Sequence, residues 1–152
     1  MYQRPQGNPY GKMSSNTYQN NSVNTASPAK LIEMLYQNSV ERLDKTMILI
    51  KDKNFIEANK QIIRVQEIIT ELNISLNMEV GGEVSTNLRA LYDFIYRRLV
   101  EANVKKDVKI VKECRDMINE LLVTWKEAMK KAGDTIKEMT SKAGRSFLDI
   151  ET

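Results

Sequence analysis

The sequence predicts an all-α protein: an antiparallel, up-down four-helix bundle, preceded by a mobile N-terminal segment and followed by a tail able to form a short fifth helix. Three observations carry this. The helix breakers are confined to Pro5, Pro9 and Pro28 and to Gly7, Gly11, Gly81, Gly82, Gly133 and Gly144, so residues 29–80 and 83–132 contain neither type. Within those stretches the apolar residues recur at steps of three and four, the period of one helix face. Each stretch also exceeds the usual length of a globular helix and holds a polar break, Lys51-Asp52-Lys53-Asn54 in one and Asn103-Val104-Lys105-Lys106-Asp107 in the other. Each therefore folds back on itself, and short connections make neighbouring helices antiparallel.

The first helix starts at Ser27-Pro28: the serine oxygen accepts from a free N–H of the first turn, and proline at the first helical position gives up a donor that had no partner. Its expected seam is Leu31, Leu35, Ser39, Leu43, Met47 and Ile50. The second helix, Asn54 to Asn77, carries Ile62, Val65, Ile69, Leu72 and Leu76. Gly81-Gly82 is expected to separate it from the third, Glu83 to Asn103, which carries Val84, Leu88, Leu91, Ile95, Leu99 and Ala102. The fourth, capped by Asp107 and closed by Gly133, carries Val111, Cys114, Ile118, Leu121, Trp125, Ala128 and Ala132. Residues 134–149 form the candidate fifth helix, with Ile136, Met139, Ala143 and Phe147 on one face. The chain thus divides into a flexible segment 1–26, a bundle 27–132 and a tail 133–152.

A chain of 152 residues can bury a core without disulfide or metal. Its 23 basic and 20 acidic side chains leave a formal charge of +3, short of the cationic footprint of a nucleic-acid binder. No histidine occurs, which removes histidine bases, histidine-containing triads and most zinc and di-iron sites. No cofactor, metal site or catalytic group is expected, and no enzymatic activity. The lone Cys114 fits a reducing cytosol, and no run of apolar residues is long enough to span a bilayer. The lysines at 105, 106, 109 and 112 read as solvated surface.

Some apolar residues remain once the seams are drawn. Ile63 and Ile74 project away from the seam of the second helix, among Asn59, Gln66, Thr70, Asn73 and Asn77, a neutral hydrogen-bonding set where a solvent face would carry Lys and Glu. On the third helix Tyr92, Tyr96 and Val100 form a shoulder beside the seam, and tyrosine suits a surface that packs while its hydroxyl stays wet. Met34, Tyr36 and Phe94 are weaker members of the same set. These residues describe a strip able to accept an amphipathic partner segment. A self-associating bundle would bury the same strip, so a homodimer is left open.

The stretch Leu76-Asn77-Met78-Glu79-Val80-Gly81-Gly82-Glu83, then Asn87-Leu88, Ala90-Leu91-Tyr92-Asp93-Phe94 and Arg97-Arg98-Leu99-Val100-Glu101-Ala102-Asn103, strongly resembles the flagellar secretion chaperone family FliS. Ser22 to Pro28, Met34-Leu35-Tyr36, Gln66, Ile68 to Leu72 and Trp125-Lys126 extend the resemblance in order from about Tyr18 to Ala132. The resemblance implies a four-helix bundle that binds the disordered C-terminal segment of flagellin in the cytoplasm. It further implies that premature polymerisation is prevented and the client is handed to the flagellar type III export gate, a membrane protein. It implies no cofactor. From the leftover apolar surface, Ile63, Thr70, Ile74, Asn77, Tyr92, Tyr96 and Val100 are the candidate flagellin contacts. Tyr18 resembles the family's aromatic residue that docks on the gate, in a segment able to cover part of the client surface. Lys30 departs from the family, standing where an acidic or neutral polar residue is common.

Overall fold

The computed structural model describes residues 27–151. The expected mobile segment and Tyr18 lie outside the described residues. Four helices follow in order: α1 Pro28–Lys51, α2 Phe55–Ile74, α3 Met78–Lys105 and α4 Val108–Glu151. The chain divides into two units, Met1–Ile32 and Glu33–Thr152. Of the first, the described part is the start of α1, where the Lys30 backbone N–H donates to Ser27 Oγ at 3.1 Å, the expected cap. The bundle is built within the second.

The hinges form where the polar breaks lie. Asn54 caps α2 by accepting from the Glu57 N–H, and Lys106, in the left-handed region at φ 51°, closes α3 with its N–H on the Ala102 carbonyl. Asp107 accepts from the Lys109 N–H at 2.8 Å, so its expected capping role holds. The α2–α3 pair is antiparallel: Asn103 Nδ2 donates to Asn59 Oδ1 at 2.7 Å and Asn73 Nδ2 to Asp93 Oδ1 at 2.8 Å, one strand of numbers rising as the other falls. Arg98 reaches from α3 to Glu113 of α4 at 2.6 Å. Arg42 of α1 donates to Gln61 of α2 at 2.9 Å, and Arg115 of α4 to Asp44 of α1 at 2.9 Å.

The core seams differ from the expected ones in two helices. In α1 the buried residues are Tyr36, Ser39, Val40, Leu43, Thr46 and Ile50, while Leu31, Leu35 and Met47 are only half-buried. The path 36-39-43-46-50 alternates threes and fours as a bundle seam must. It includes two hydroxyl side chains because each satisfies itself within the helix: Ser39 Oγ donates to the Leu35 carbonyl at 2.9 Å and Thr46 Oγ1 to the Arg42 carbonyl at 2.7 Å. In α3 the seam runs through Ser85, Tyr92, Ile95, Leu99 and Ala102; Val84 is exposed and Leu91 half-buried. In α2, Ala58, Ile62, Val65, Ile68, Ile69 and Leu72 are buried, close to expectation, and in α4 Ile110, Val111, Cys114, Ile118 and Leu122. Trp125 is half-buried, and Ala128 and Ala132 are exposed, so the buried part of the expected α4 seam ends at Leu122, about three turns early.

Two glycine boundaries also move. α3 begins at Met78, ahead of Gly81-Gly82, because Asn77 Oδ1 accepts from the Val80 N–H at 3.0 Å and starts the helix there. The glycines then permit a kink inside α3: Gly82 has φ 52° and ψ −126°, outside helical space. A Cβ on Gly81 would run into the Ser85 side chain, which is held by its hydroxyl on the Asn77 carbonyl at 3.0 Å. Gly133, by contrast, does not end α4. Nothing lies within 4 Å of a Cβ built there, and a glycine among good helix formers costs only about 1 kcal/mol. The tail is therefore helical as a continuation of α4 and not as a separate fifth helix.

Candidate functional site

The side of the α2–α3 hairpin that carries the leftover apolar residues holds an open pocket of about 340 Å³. From α2 it is lined by Ile69, Thr70, Asn73 and Ile74, and from α3 by Arg89, Tyr92, Asp93 and Tyr96. These positions meet because residues three, four and seven apart share one helix face, and because the antiparallel register fixed by the Asn73–Asp93 bond sets the end of α2 against the middle of α3.

Four of the seven candidate contacts, Thr70, Ile74, Tyr92 and Tyr96, line this pocket. Ile74 is 78% exposed and Tyr96 40%. Ile63 and Val100, each 44% exposed, stand off the pocket: Ile63 lies seven residues before Thr70 and Val100 four after Tyr96, so they continue its two faces toward the other end of the hairpin. Thr70 is exposed, with its hydroxyl donated to the Gln66 carbonyl at 3.0 Å.

Tyr92 is not on an exposed shoulder. It is 2% exposed, a core residue whose hydroxyl lies 2.6 Å from that of Tyr36. Its ring forms part of the pocket floor with Ile69, and burial pushes both phenols above the ordinary tyrosine value. Tyr36, the weaker candidate on α1, is core for the same reason. Asn77 is exposed, but its side chain is taken up in capping α3, which already accounts for a polar residue there.

The sequence reading left Arg89 and Asp93 out of the candidate set, although they bring charge to the pocket. They stand four residues apart on α3 with opposite signs, a spacing that marks neighbours on one face. Asn73 was visible only as part of a polar face. Its Nδ2 donates to Asp93 at 2.8 Å, and its buried Oδ1 meets no donor among the described residues.

A second groove, about 550 Å³, runs between α3 and α4 and is lined by Leu91, Met117, Asn119, Glu120, Leu121, Val123 and Thr124. Leu91 and Leu121, expected in the core, border this groove instead. The available signal was Leu121-Leu122-Val123, three consecutive apolar residues on a helix that can bury only one side of itself.

Known proteins agree with the helical architecture and the sequence pattern. Residues 11–132 match the family model described as flagellar protein FliS. The flagellar secretion chaperone FliS of Bacillus subtilis (strain 168) is 37% identical over 123 residues, covering 81% of this chain and 87% of that protein. The flagellar secretion chaperone FliS of Salmonella typhimurium is 31% identical over 112 residues, covering 73% and 83%. A solved crystal structure of a bacterial flagellar chaperone superposes with a TM-score of 0.65 at 18% identity, over 84% of this chain and 99% of that one. The residues after 132, which include the continuation of α4, lie beyond the family match.

Proposed function

This chain belongs to the FliS family of flagellar secretion chaperones, and from that premise we propose that it binds the disordered C-terminal segment of flagellin in the cytoplasm. Binding keeps the client from polymerising early and carries it to the flagellar type III export gate. The observation that carries the reading is the strip on α2 and α3, where Ile63, Ile74, Tyr96 and Val100 are all exposed at 40% or more on faces flanking one open pocket. A monomer gains nothing from leaving such residues in water, so a partner that covers them accounts for their presence.

The mechanism is coupled folding and binding. An unfolded client lays apolar side chains along the strip and orders as it does so, and the ordering entropy offsets part of the gain from burial. The client is held soluble yet released without a chemical step. The segment before residue 27, with Tyr18, is the candidate for docking on the membrane protein of the gate or for covering the strip until a client arrives. Among the described residues no helix is long and apolar enough to cross a membrane.

Calorimetric titration with the C-terminal segment of flagellin from the same organism, at two temperatures, tests the reading. The expected result is a 1:1 complex with a clearly negative heat-capacity change. Absence of heat together with absence of co-elution contradicts it, while a homodimer that dissociates when Ile63 or Ile74 carries a charge would assign the strip to self-association.

A further inference from the structure

Resting on the flagellin-chaperone reading, we propose that Arg89 sets client specificity: its guanidinium takes a carboxylate that stands beside an apolar client residue seated in the α2–α3 pocket. Arg89 is exposed and lines that pocket. Arg42, Arg64, Arg98 and Arg115 are engaged within the protein: Arg98 holds Glu101 and Glu113, Arg115 holds Asp44 and Asp116, Arg64 lies 3.9 Å from Glu71, and Arg42 donates to Asn38 and Gln61. Arg89 makes no hydrogen bond or ion pair among the described residues. The reason is local. Asp93 is the only acid three or four residues away on α3, and a cation placed four residues before an acid is the weaker order of such a pair. Asp93 is also engaged across the hairpin, where Asn73 Nδ2 donates to its Oδ1 at 2.8 Å.

The pocket makes this guanidinium selective. A client that lays an apolar side chain against Ile69, Ile74 and Tyr96 also covers the Arg89 side of the mouth and strips water from its N–H donors. Lost hydration of a cation is not replaced by apolar contact, so the client that seats there has to bring an acceptor. A carboxylate is the matching one, since its two oxygens fit the guanidinium fork and a charged acceptor bonds about twice as strongly as a neutral carbonyl. Asp93 keeps its own charge nearby, which disfavours a multiply charged anion and leaves a single carboxylate as the fitting group. In a C-terminal segment that carboxylate is either an Asp or Glu side chain or the end of the chain itself. Arg89 thereby discriminates among apolar segments that would all fit about 340 Å³, and it repels one whose nearest charge is basic.

Calorimetric titration of the full-length chain with synthetic peptides of the flagellin C-terminal segment tests this. One series replaces each Asp by Asn and each Glu by Gln singly, and one further peptide carries a C-terminal amide in place of the acid. One of these changes should weaken binding roughly five- to tenfold on the wild-type chain, between the scale of an exposed ion pair and that of a hydrogen bond to a buried charge. The same change should cost less than about twofold on Arg89→Met, where the partner is already gone. Which peptide responds tells a side-chain carboxylate from the chain end. Arg97, equally exposed and also without a bond among the described residues, lies about two turns along α3 and outside the pocket lining, so Arg97→Met should keep the wild-type dependence. Should Arg89→Met lose its helical circular dichroism, Arg89→Gln supplies the same comparison. The proposal is overturned if no carboxylate change matters on the wild-type chain, if the change costs as much on Arg89→Met, or if the dependence vanishes in Arg97→Met instead. It is equally overturned if Arg89→Met binds the unmodified peptide as tightly as wild type, the result expected where residues 1–26 or a second copy occupy the pocket. Failure of the wild-type chain to bind the unmodified peptide overturns the chaperone reading itself, and this inference with it.

Discussion

The hydroxyls of Tyr36 and Tyr92 lie 2.6 Å apart, buried between α1 and α3 and 56 residues apart in the chain. Neither phenol has water to turn to, so each is the other's means of satisfying a polar group inside an apolar seam. The pair ties α1 to the α2–α3 hairpin and supports the floor of the pocket from beneath. Tyr36→Phe or Tyr92→Phe alone should destabilise the fold by about 1–3 kcal/mol, because each leaves the opposite hydroxyl unpaired. The double substitution should cost less than the two singles together, and a double-mutant cycle of urea unfolding measures the difference.

The same burial makes the fold sensitive to alkali. The Cys114 thiol is buried, and desolvation pushes it up to about 12 from an ordinary 9.0; Tyr36 and Tyr92 are likewise raised. All three are neutral when protonated, and the unfolded chain gives up those protons at lower pH than the folded one. Their contribution is therefore complete below about pH 9 and falls as pH rises toward 12. Urea midpoints should drop across that window, less steeply in Cys114→Ala. Native Cys114 should resist thiol reagents until the protein unfolds.

Ile63→Asp and Tyr96→Asp should leave helical content and the unfolding midpoint nearly unchanged, since both residues are 40% or more exposed. Each should weaken binding of the flagellin segment by more than about 1 kcal/mol, the scale of an interface anchor. Tyr92→Asp is the control of opposite kind: a carboxylate placed in the core should unfold the bundle. Circular dichroism melts beside titration calorimetry separate the two behaviours, and loss of folding in Ile63→Asp or Tyr96→Asp would mean that the strip is core.

Where the sequence misled, the reason is local chemistry. Periodicity finds seams by hydrophobicity, and in α1 and α3 it passes over Thr46 and Ser85, whose hydroxyls bond to backbone carbonyls and so enter a core that scores them as polar, as the expected Ser39 also does. Ser39, Leu43 and Ile50 of α1 and Ile95, Leu99 and Ala102 of α3 lie on the expected seams, and the misses are single steps to a more apolar neighbour: Leu35 for Tyr36, Met47 for Thr46, Val84 for Ser85 and Leu91 for Tyr92. The four-helix count, the Ser27 and Asp107 caps and the exposure of Ile63 and Ile74 were legible because breakers, caps and a displaced isoleucine are local signals. The pocket was legible only in half. Thr70, Ile74 and Tyr96 stood out as unexplained, but the acceptor of Asn73 depends on its bond to Asp93, a contact between helices that no spacing within one helix encodes.

The glycine pair offers a sharper test of the α3 start. Gly82 sits at φ 52°, ψ −126°, a region that side chains with a Cβ avoid, so Gly82→Ala should cost about 1–3 kcal/mol. Gly81 is constrained differently: its own φ is unremarkable, but a Cβ would collide with Ser85, whose Cβ would lie only 2.8 Å away. Gly81→Ala should therefore also destabilise, and Gly81→Ala combined with Ser85→Gly should recover part of the loss, whereas Ser85→Gly should do nothing for Gly82→Ala. Melting temperatures of these four variants and of Ser85→Gly alone distinguish steric from conformational cost. Equal rescue of both glycine variants would show that Ser85 acts through the kink as a whole, and that the two positions form one mechanical unit at the entrance to α3.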